Sequence, residues 1–229
     1  MLRVSEIKLE LDHTEQELRD AICYKLAIKP AELLSYTIYK RSYDARRSAM
    51  CLIYIIDVNL ANEATTAKKL CNERHICPTP DMSYHYVGKA PANLTERPLV
   101  VGFGPCGVFA ALILAQMGFK PIVLERGKEV RERTQDTWGL WRKKNLNPES
   151  NVQYGEGGAG TFSDGKLYSQ VRDPRYLGRK VIEEFVKAGA PEEIVYVNRP
   201  HIGTFRLVGM VEKMRQNIID LGGEIRFEH

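Results

Sequence analysis

The sequence has no long apolar run. Its longest, residues 108–115, is far short of the roughly 20 residues that cross a bilayer as a helix. The opening residues, Met1-Leu-Arg-Val-Ser-Glu, lack the apolar centre of a secretory signal, so a cytoplasmic protein is expected. Cysteine is sparse and odd in number, five in 229 residues, which argues against a disulfide framework. Cys71 and Cys77 flank His75 at a poor zinc spacing, and no second cysteine pair follows, so no metal is expected. Ser163 and Asp164 have no histidine at the spacing of a hydrolase triad. No aromatic RNA-binding signature is present, and nucleic acid is not an expected partner.

Neither sign of charge dominates: the net charge is +4, from 33 basic and 29 acidic residues. Residues 1–88 carry twelve of each; the remainder carries twenty-one basic and seventeen acidic, so the excess lies wholly there. A ligand with two phosphates suits that bias better than a broad nucleic-acid surface. With 44% hydrophobic and 27% charged residues, the composition is that of a folded globular chain.

The richest stretch is residues 98–107, Pro-Leu-Val-Val-Gly-Phe-Gly-Pro-Cys-Gly. It reads as a buried strand, a three-glycine turn and a helix start. Gly102 permits the tight turn, Gly104 lets backbone approach a pyrophosphate, and Gly107 allows close helix–strand packing. Pro105 suits the first helical turn, and Cys106 contributes backbone. A helix over 108–117 would aim free N–H groups and its positive dipole end at phosphate. A second strand follows over 120–124, and Glu125 stands 18 residues beyond Gly107, where a carboxylate can accept both ribose hydroxyls and repel a 2′-phosphate. The whole pattern predicts a dinucleotide-binding βαβ unit, for FAD or NAD.

Arg126, Arg131 and Arg133 follow, within expected reach of a pyrophosphate. Next comes a run with five glycines in eleven residues, Gly155, Gly157, Gly158, Gly160 and Gly165, unsuited to helix or strand. Such a run lets backbone lie against a flat ligand. Ala159, Thr161, Ser163, Asp164 and Lys166 sit within it and complete the expected cofactor residues. These features favour FAD. His201 is the one candidate for catalysis; it could face flavin or substrate as a proton donor, or be a loop histidine bonded to backbone. Trp138 and Trp141 could stack on adenine, though core packing is the preferred reading. Arg172, Asp173 and Arg175 read as surface turn residues.

The first part alternates strand and helix patterns: a strand around Ile7, Leu9 and Leu11, a helix started by a Thr14/Glu17 capping box and carried by Leu18, Ile22 and Leu26, and strands over 35–42 and 50–58. A helix over 62–73 and a short strand over 83–87 complete a βαββαβ order, which predicts a ferredoxin-like α+β domain over 1–88. Lys40, Arg41, Arg46 and Arg47 cluster between its central strands, as a solvated hairpin end or a docking patch for an acidic partner or RNA. Residues 89–97 read as a linker, and 98–229 as the dinucleotide-binding domain.

Several segments together resemble one family: 102–107, 124–127, 131–133, 147–153, 157–167 and 200–204. This is the bacterial family of uncharacterised FAD-dependent dehydrogenases, or NAD(P)/FAD-dependent oxidoreductases, flavoproteins with a glutathione-reductase-type FAD fold behind a small α+β domain. The resemblance runs along essentially the whole chain. It implies an α/β fold with a Rossmann-type FAD domain, FAD as cofactor, and oxidoreduction of an undefined substrate. Members of that family are much longer, and neither the later Gly-Asp segment of this fold nor a second glycine fingerprint is found here. A helix over 207–221 and a strand over Glu224–Phe227 close the readable pattern. The expectation is therefore a truncated Rossmann domain, with Glu228-His229 either native or a tag remnant. The alternatives are a nucleotide-binding or partner- or RNA-docking module without turnover, and an NAD dehydrogenase.

Overall fold

The computed structural model describes residues 1–46 and 49–229. It is a mixed α/β structure with one antiparallel and one parallel sheet. The chain divides into two compact units, Met1–Met82 with Val195–Asn198, and Ser83–Ile194 with Arg199–His229.

The first unit runs β1 (Leu2–Leu9), α1 (Glu15–Leu26), β2 (Leu33–Asp44), β3 (Cys51–Leu60), α2 (Glu63–Lys69) and β4 (Ile76–Pro78). The sheet order is β2-β3-β1-β4, every neighbour antiparallel. In β3, Leu52, Tyr54, Ile56, Val58 and Leu60 alternate into the core, where Leu18, Ile22 and Leu26 of α1 meet them. Thr14 and Glu17 form the expected reciprocal cap of α1. On β1 and β3, Arg3 and Asp57 are paired by two bonds, 2.7 and 2.8 Å, and both are buried. Val197 bridges to Arg41 of β2.

Two readings of this unit change. Its last strand is Ile76–Pro78, because the backbone of Leu2–Val4 pairs there rather than with residues 83–87. α2 ends at Lys69, short of the expected residue 73. In the basic cluster Arg46 is clamped by Asp44 at 2.7 and 2.8 Å yet 81% exposed, as a solvated hairpin end would be, and Arg41 lies over the Tyr196 ring. Arg47 lies outside the described residues.

The second unit holds β5 (Leu99–Val101), α3 (Pro105–Gln116), β6 (Ile122–Glu125), α4 (Val130–Lys143), α5 (Leu177–Lys187), α6 (Thr204–Asp220) and β7 (Glu224–Phe227). The strands form a parallel sheet in the order β5-β6-β7. The core joins Phe103, Val108, Leu112 and Val123 to Met210, Met214 and Ile218 of α6. Residues 83–87 belong here: the Tyr86 hydroxyl donates to Gln116, and the Lys180 ammonium lies by both tyrosine rings, Tyr84 and Tyr86, while bonding Glu184 at 2.7 Å. The linker-like residues 89–97 are fastened to this unit. Ala90 donates to Met117, and the Arg97 guanidinium reaches the carbonyls of Lys120 and Pro121 and the Glu224 carboxylate.

Candidate functional site

The β5–α3 turn forms for steric reasons visible in its neighbours. Gly102 has φ of +91°, which L side chains rarely adopt. At Gly107 an added Cβ would stand 1.9 Å from the Gly102 carbonyl oxygen, so only glycine lets α3 start this close to the strand. α3 begins at Pro105 with Gly104 as its N-cap, and no side chain caps it. Its first N–H groups and positive dipole end are therefore unopposed by side-chain acceptors at a place where β5 and β6 end. Cys106 is exposed in the first turn.

The second glycine run folds against the first. Gly157 donates its N–H to the Phe103 carbonyl at 2.9 Å, and a Cβ on Gly158 would lie 3.2 Å from Gly104 Cα. Thus Phe103 and Gly104 of the turn meet Gly157 and Gly158 through backbone, and the Pro105 ring lies beside Gly158, whereas Gly107 packs on Gly102. Ala159, Gly160 and Thr161 continue as a short 3-10 turn (Ala159–Phe162), with Thr161 buried.

Two charged side chains hold this junction, in roles different from those expected. Glu125 is buried and its carboxylate accepts three backbone N–H groups: Phe103 at 2.6 Å, Gly127 at 2.8 Å and Gly155 at 3.0 Å. It ties together three loops. Of its roughly four lone-pair sites, three are occupied, so it can take one ribose hydroxyl rather than two. Arg133 is wholly buried and does not line the crevice beside the glycine turn. It donates to the carbonyls of Asn151, Val152, Glu156 and Gly158 at 2.5–2.9 Å, gathering the glycine run around one guanidinium. Burial lowers its pKa to about 10, with Glu125 and Glu156 opposing, and it stays charged at neutral pH. Its charge remains behind the turn, without a bonded carboxylate, as a fixed positive field.

The remaining arginines are engaged. Arg126 pairs with Glu149 at 2.7 Å and stacks on Tyr154 at 4.1 Å. Arg131 pairs with Glu212 of α6 through two 2.7 Å bonds and turns away from the glycine turn's crevice. That crevice, about 340 Å³, is lined by Gly102, Gly104, Glu125, Arg126, Tyr154 and Gly158 among others. Val101, Leu124, Gln153, Tyr154, Gly155 and His229 also line it and were not among the expected cofactor residues; for Gln153 and Tyr154, their position just before the glycine run was the available signal.

Ser163, Asp164, Gly165 and Lys166 lie further along. Residues 164–167 run antiparallel to 200–203: Leu167 donates to Pro200, Ile202 to Gly165 and Gly203 to Asp164, at 3.0–3.1 Å. His201 is not bonded to backbone; its Nδ1 is 3.3 Å from the Asp164 carboxylate. Trp138 and Trp141 are both about half exposed and meet edge to face, so neither is a core residue. Asp173 caps α5 by accepting from Leu177 and Gly178. Behind the junction, Glu156 is buried, accepts from Val130 N–H at 2.8 Å, and has one carboxylate oxygen without a hydrogen bond. Among the described residues no three metal-ligating side chains come together, and no helix is long and apolar enough to cross a membrane.

Comparison with known proteins adds two findings. Residues 1–59 match the family described as a domain of unknown function, DUF8436. Over 227 residues the chain is 40% identical to an uncharacterized protein of Clostridium beijerinckii; the match takes in 99% of this chain and 42% of that protein. The chain spans less than half the length of that relative, and the family match does not reach the glycine junction.

Proposed function

We propose that the second unit is a Rossmann-type FAD-binding domain, that the first is ferredoxin-like, and that the protein takes part in flavin-dependent oxidoreduction. One observation carries the cofactor reading: a parallel βαβ unit whose glycine turn, including Gly104, the N-cap of α3, lines a single crevice with the terminal Glu125. An added Cβ on Gly104 meets nothing closer than 3.9 Å, so the turn has open space beside it. The donors and charge suit a pyrophosphate, and Glu125 suits a ribose hydroxyl. Tyr154, with Arg126 on its ring, offers an aromatic wall for adenine. FAD would supply the electron-carrying ring, which no side chain can replace. The chain's own residues bind and orient: Gly102, Gly104 and Gly107 admit the pyrophosphate, Glu125 takes the ribose, and the run held by Arg133 forms the crevice's second wall.

The β2-β3-β1-β4 order and the two helices support the ferredoxin-like reading of the first unit. The resemblance of the glycine run to that of FAD-dependent dehydrogenases favours FAD over NAD. The test is purification followed by visible absorption and equilibrium dialysis with FAD, NAD and ADP. Flavin absorption that bleaches with a reduced nicotinamide supports the proposal. A colourless protein that binds ADP or NAD and refuses FAD overturns the flavin reading.

A further inference from the structure

The chain has two tryptophans, Trp138 and Trp141, and neither the core nor the crevice beside the glycine turn takes them up. They stand near the end of α4, 45% and 52% exposed, with ring centroids 5.6 Å apart and planes at 88°. Trp141 also meets Phe162 edge to face. Residues 141–146 are all exposed, and Leu146 adds an apolar side chain to the same tip. Adjoining indoles half in water suit a boundary that is apolar on one side and wet on the other.

The tip is also basic. Arg142, Lys143 and Lys144 follow Trp141 directly, and no acidic residue occurs between Asp136 and Glu149. Among the described residues none of the three cations has a carboxylate partner; Arg142 lies over the Trp138 ring at 4.1 Å. The dipole at the C-terminal end of α4 favours cations there, but it gives no reason for two exposed indoles beside them. The complementary surface is anionic and amphipathic at once.

Shape narrows the choice. Trp138 and Trp141 line neither the crevice nor the apolar cavity among α3, α5 and α6, and a small ligand would need such a concavity. Perpendicular rings cannot stack two successive bases, and Arg142 already covers one face of Trp138, which counts against single-stranded nucleic acid. A bilayer surface needs no groove. Indoles and a leucine enter the headgroup boundary, while Lys and Arg meet acidic headgroups. Such attachment is to one leaflet and requires no crossing helix.

We propose that the C-terminal tip of α4 docks on an anionic lipid bilayer, with Trp138, Trp141 and Leu146 at the headgroup boundary and Arg142, Lys143 and Lys144 on the acidic headgroups. The proposal goes beyond the cofactor reading and does not depend on it.

Both tryptophans lie in the tip, so intrinsic indole fluorescence reports on this site alone. The whole chain is titrated with phosphatidylcholine vesicles and with mixed phosphatidylcholine–phosphatidylglycerol vesicles, and binding is checked by co-sedimentation. The mixed vesicles should move the emission to the blue and sediment the protein. Phosphatidylcholine alone should do neither, and high salt should reverse both effects. The double variant Lys143→Gln/Lys144→Gln should bind about thirtyfold more weakly, at about fivefold per cation. Trp141→Ser, with Trp138 left as reporter, should bind about tenfold more weakly. These side chains are exposed, so the variants should keep the wild-type circular dichroism. No sedimentation with mixed vesicles, equal binding to both vesicle types, or undiminished binding of the folded double variant would each overturn the proposal. So would the same blue shift on self-association without lipid, or tighter binding of a single-stranded oligonucleotide or of polyglutamate than of mixed vesicles.

Discussion

At the scale of single residues, the junction depends on groups that cannot be exchanged for near relatives. Arg133 is the clearest case, since one buried guanidinium serves four carbonyls on residues 151–158. Lysine has three donors and no planar fork, so it cannot reproduce this. Arg133→Lys should lose about 2 kcal/mol and Arg133→Leu about 3–5 kcal/mol in urea denaturation, the cost of leaving buried acceptors unpaired. Gly107→Ala places a methyl against the Gly102 carbonyl. The expected loss is about 1–3 kcal/mol together with nucleotide affinity, measured by melting and ADP dialysis. Glu156 gives a pH dependence. Burial is the main cause that raises its carboxyl above the usual 4.5, against the lowering effects of Val130 N–H and Arg215. The folded chain thus binds that proton more tightly than the unfolded chain. The penalty is absent below about pH 4.5 and grows as pH rises through the elevated folded value, so stability falls in that direction. Glu156→Gln keeps an acceptor for Val130 and should flatten this decline when melting is followed from pH 5 to 8; an unchanged slope would show that Glu156 is not its source.

At the scale of elements, much was legible in the sequence because local patterns agreed with the packing. The Thr14/Glu17 box starts α1, the glycine spacing starts α3, and Glu224–Phe227 forms β7 as expected. The misread parts are those decided by tertiary partners. Residues 83–87 alternate like a strand, yet Tyr84 and Tyr86 alternate to meet Lys180, while the less strand-like Ile76–Pro78 takes the place beside β1. Residues 89–97 read as linker because no periodicity announces that Arg97 will collect two carbonyls at the start of β6. The glycine turn was legible in detail; the inward turn of Arg133 and the three N–H groups on Glu125 were not, since charge in a sequence says nothing about burial. Asp173 is the surface turn residue it read as, and its carboxylate also accepts from the first N–H groups of α5, which the sequence did not announce. Asp173→Ala should cost about 1 kcal/mol and lower the hydrogen-exchange protection of residues 177–180 before the rest of the unit; uniform loss of protection would contradict a local cap.

At the scale of the whole molecule, two compact units carry separate signals. The DUF8436 match covers most of the first, and the crevice beside the glycine turn lies wholly in the second. A relative more than twice as long shares the entire chain at 40% identity, so both units occur together in a larger protein. The parallel sheet shows Val101 at 81% and Leu99 at 59% exposure, an apolar face of a kind that such sheets usually cover. We propose that the two glycine segments, stapled by Glu125 and Arg133, form a crevice for an adenine dinucleotide. The direct measurement is an amide NMR titration of the folded chain with ADP and then FAD. The account predicts saturable shifts at Gly102, Gly104, Cys106, Tyr154 and Gly158, abolished by Gly107→Ala. Absence of shifts with both ligands, or shifts confined to the first unit, would contradict it.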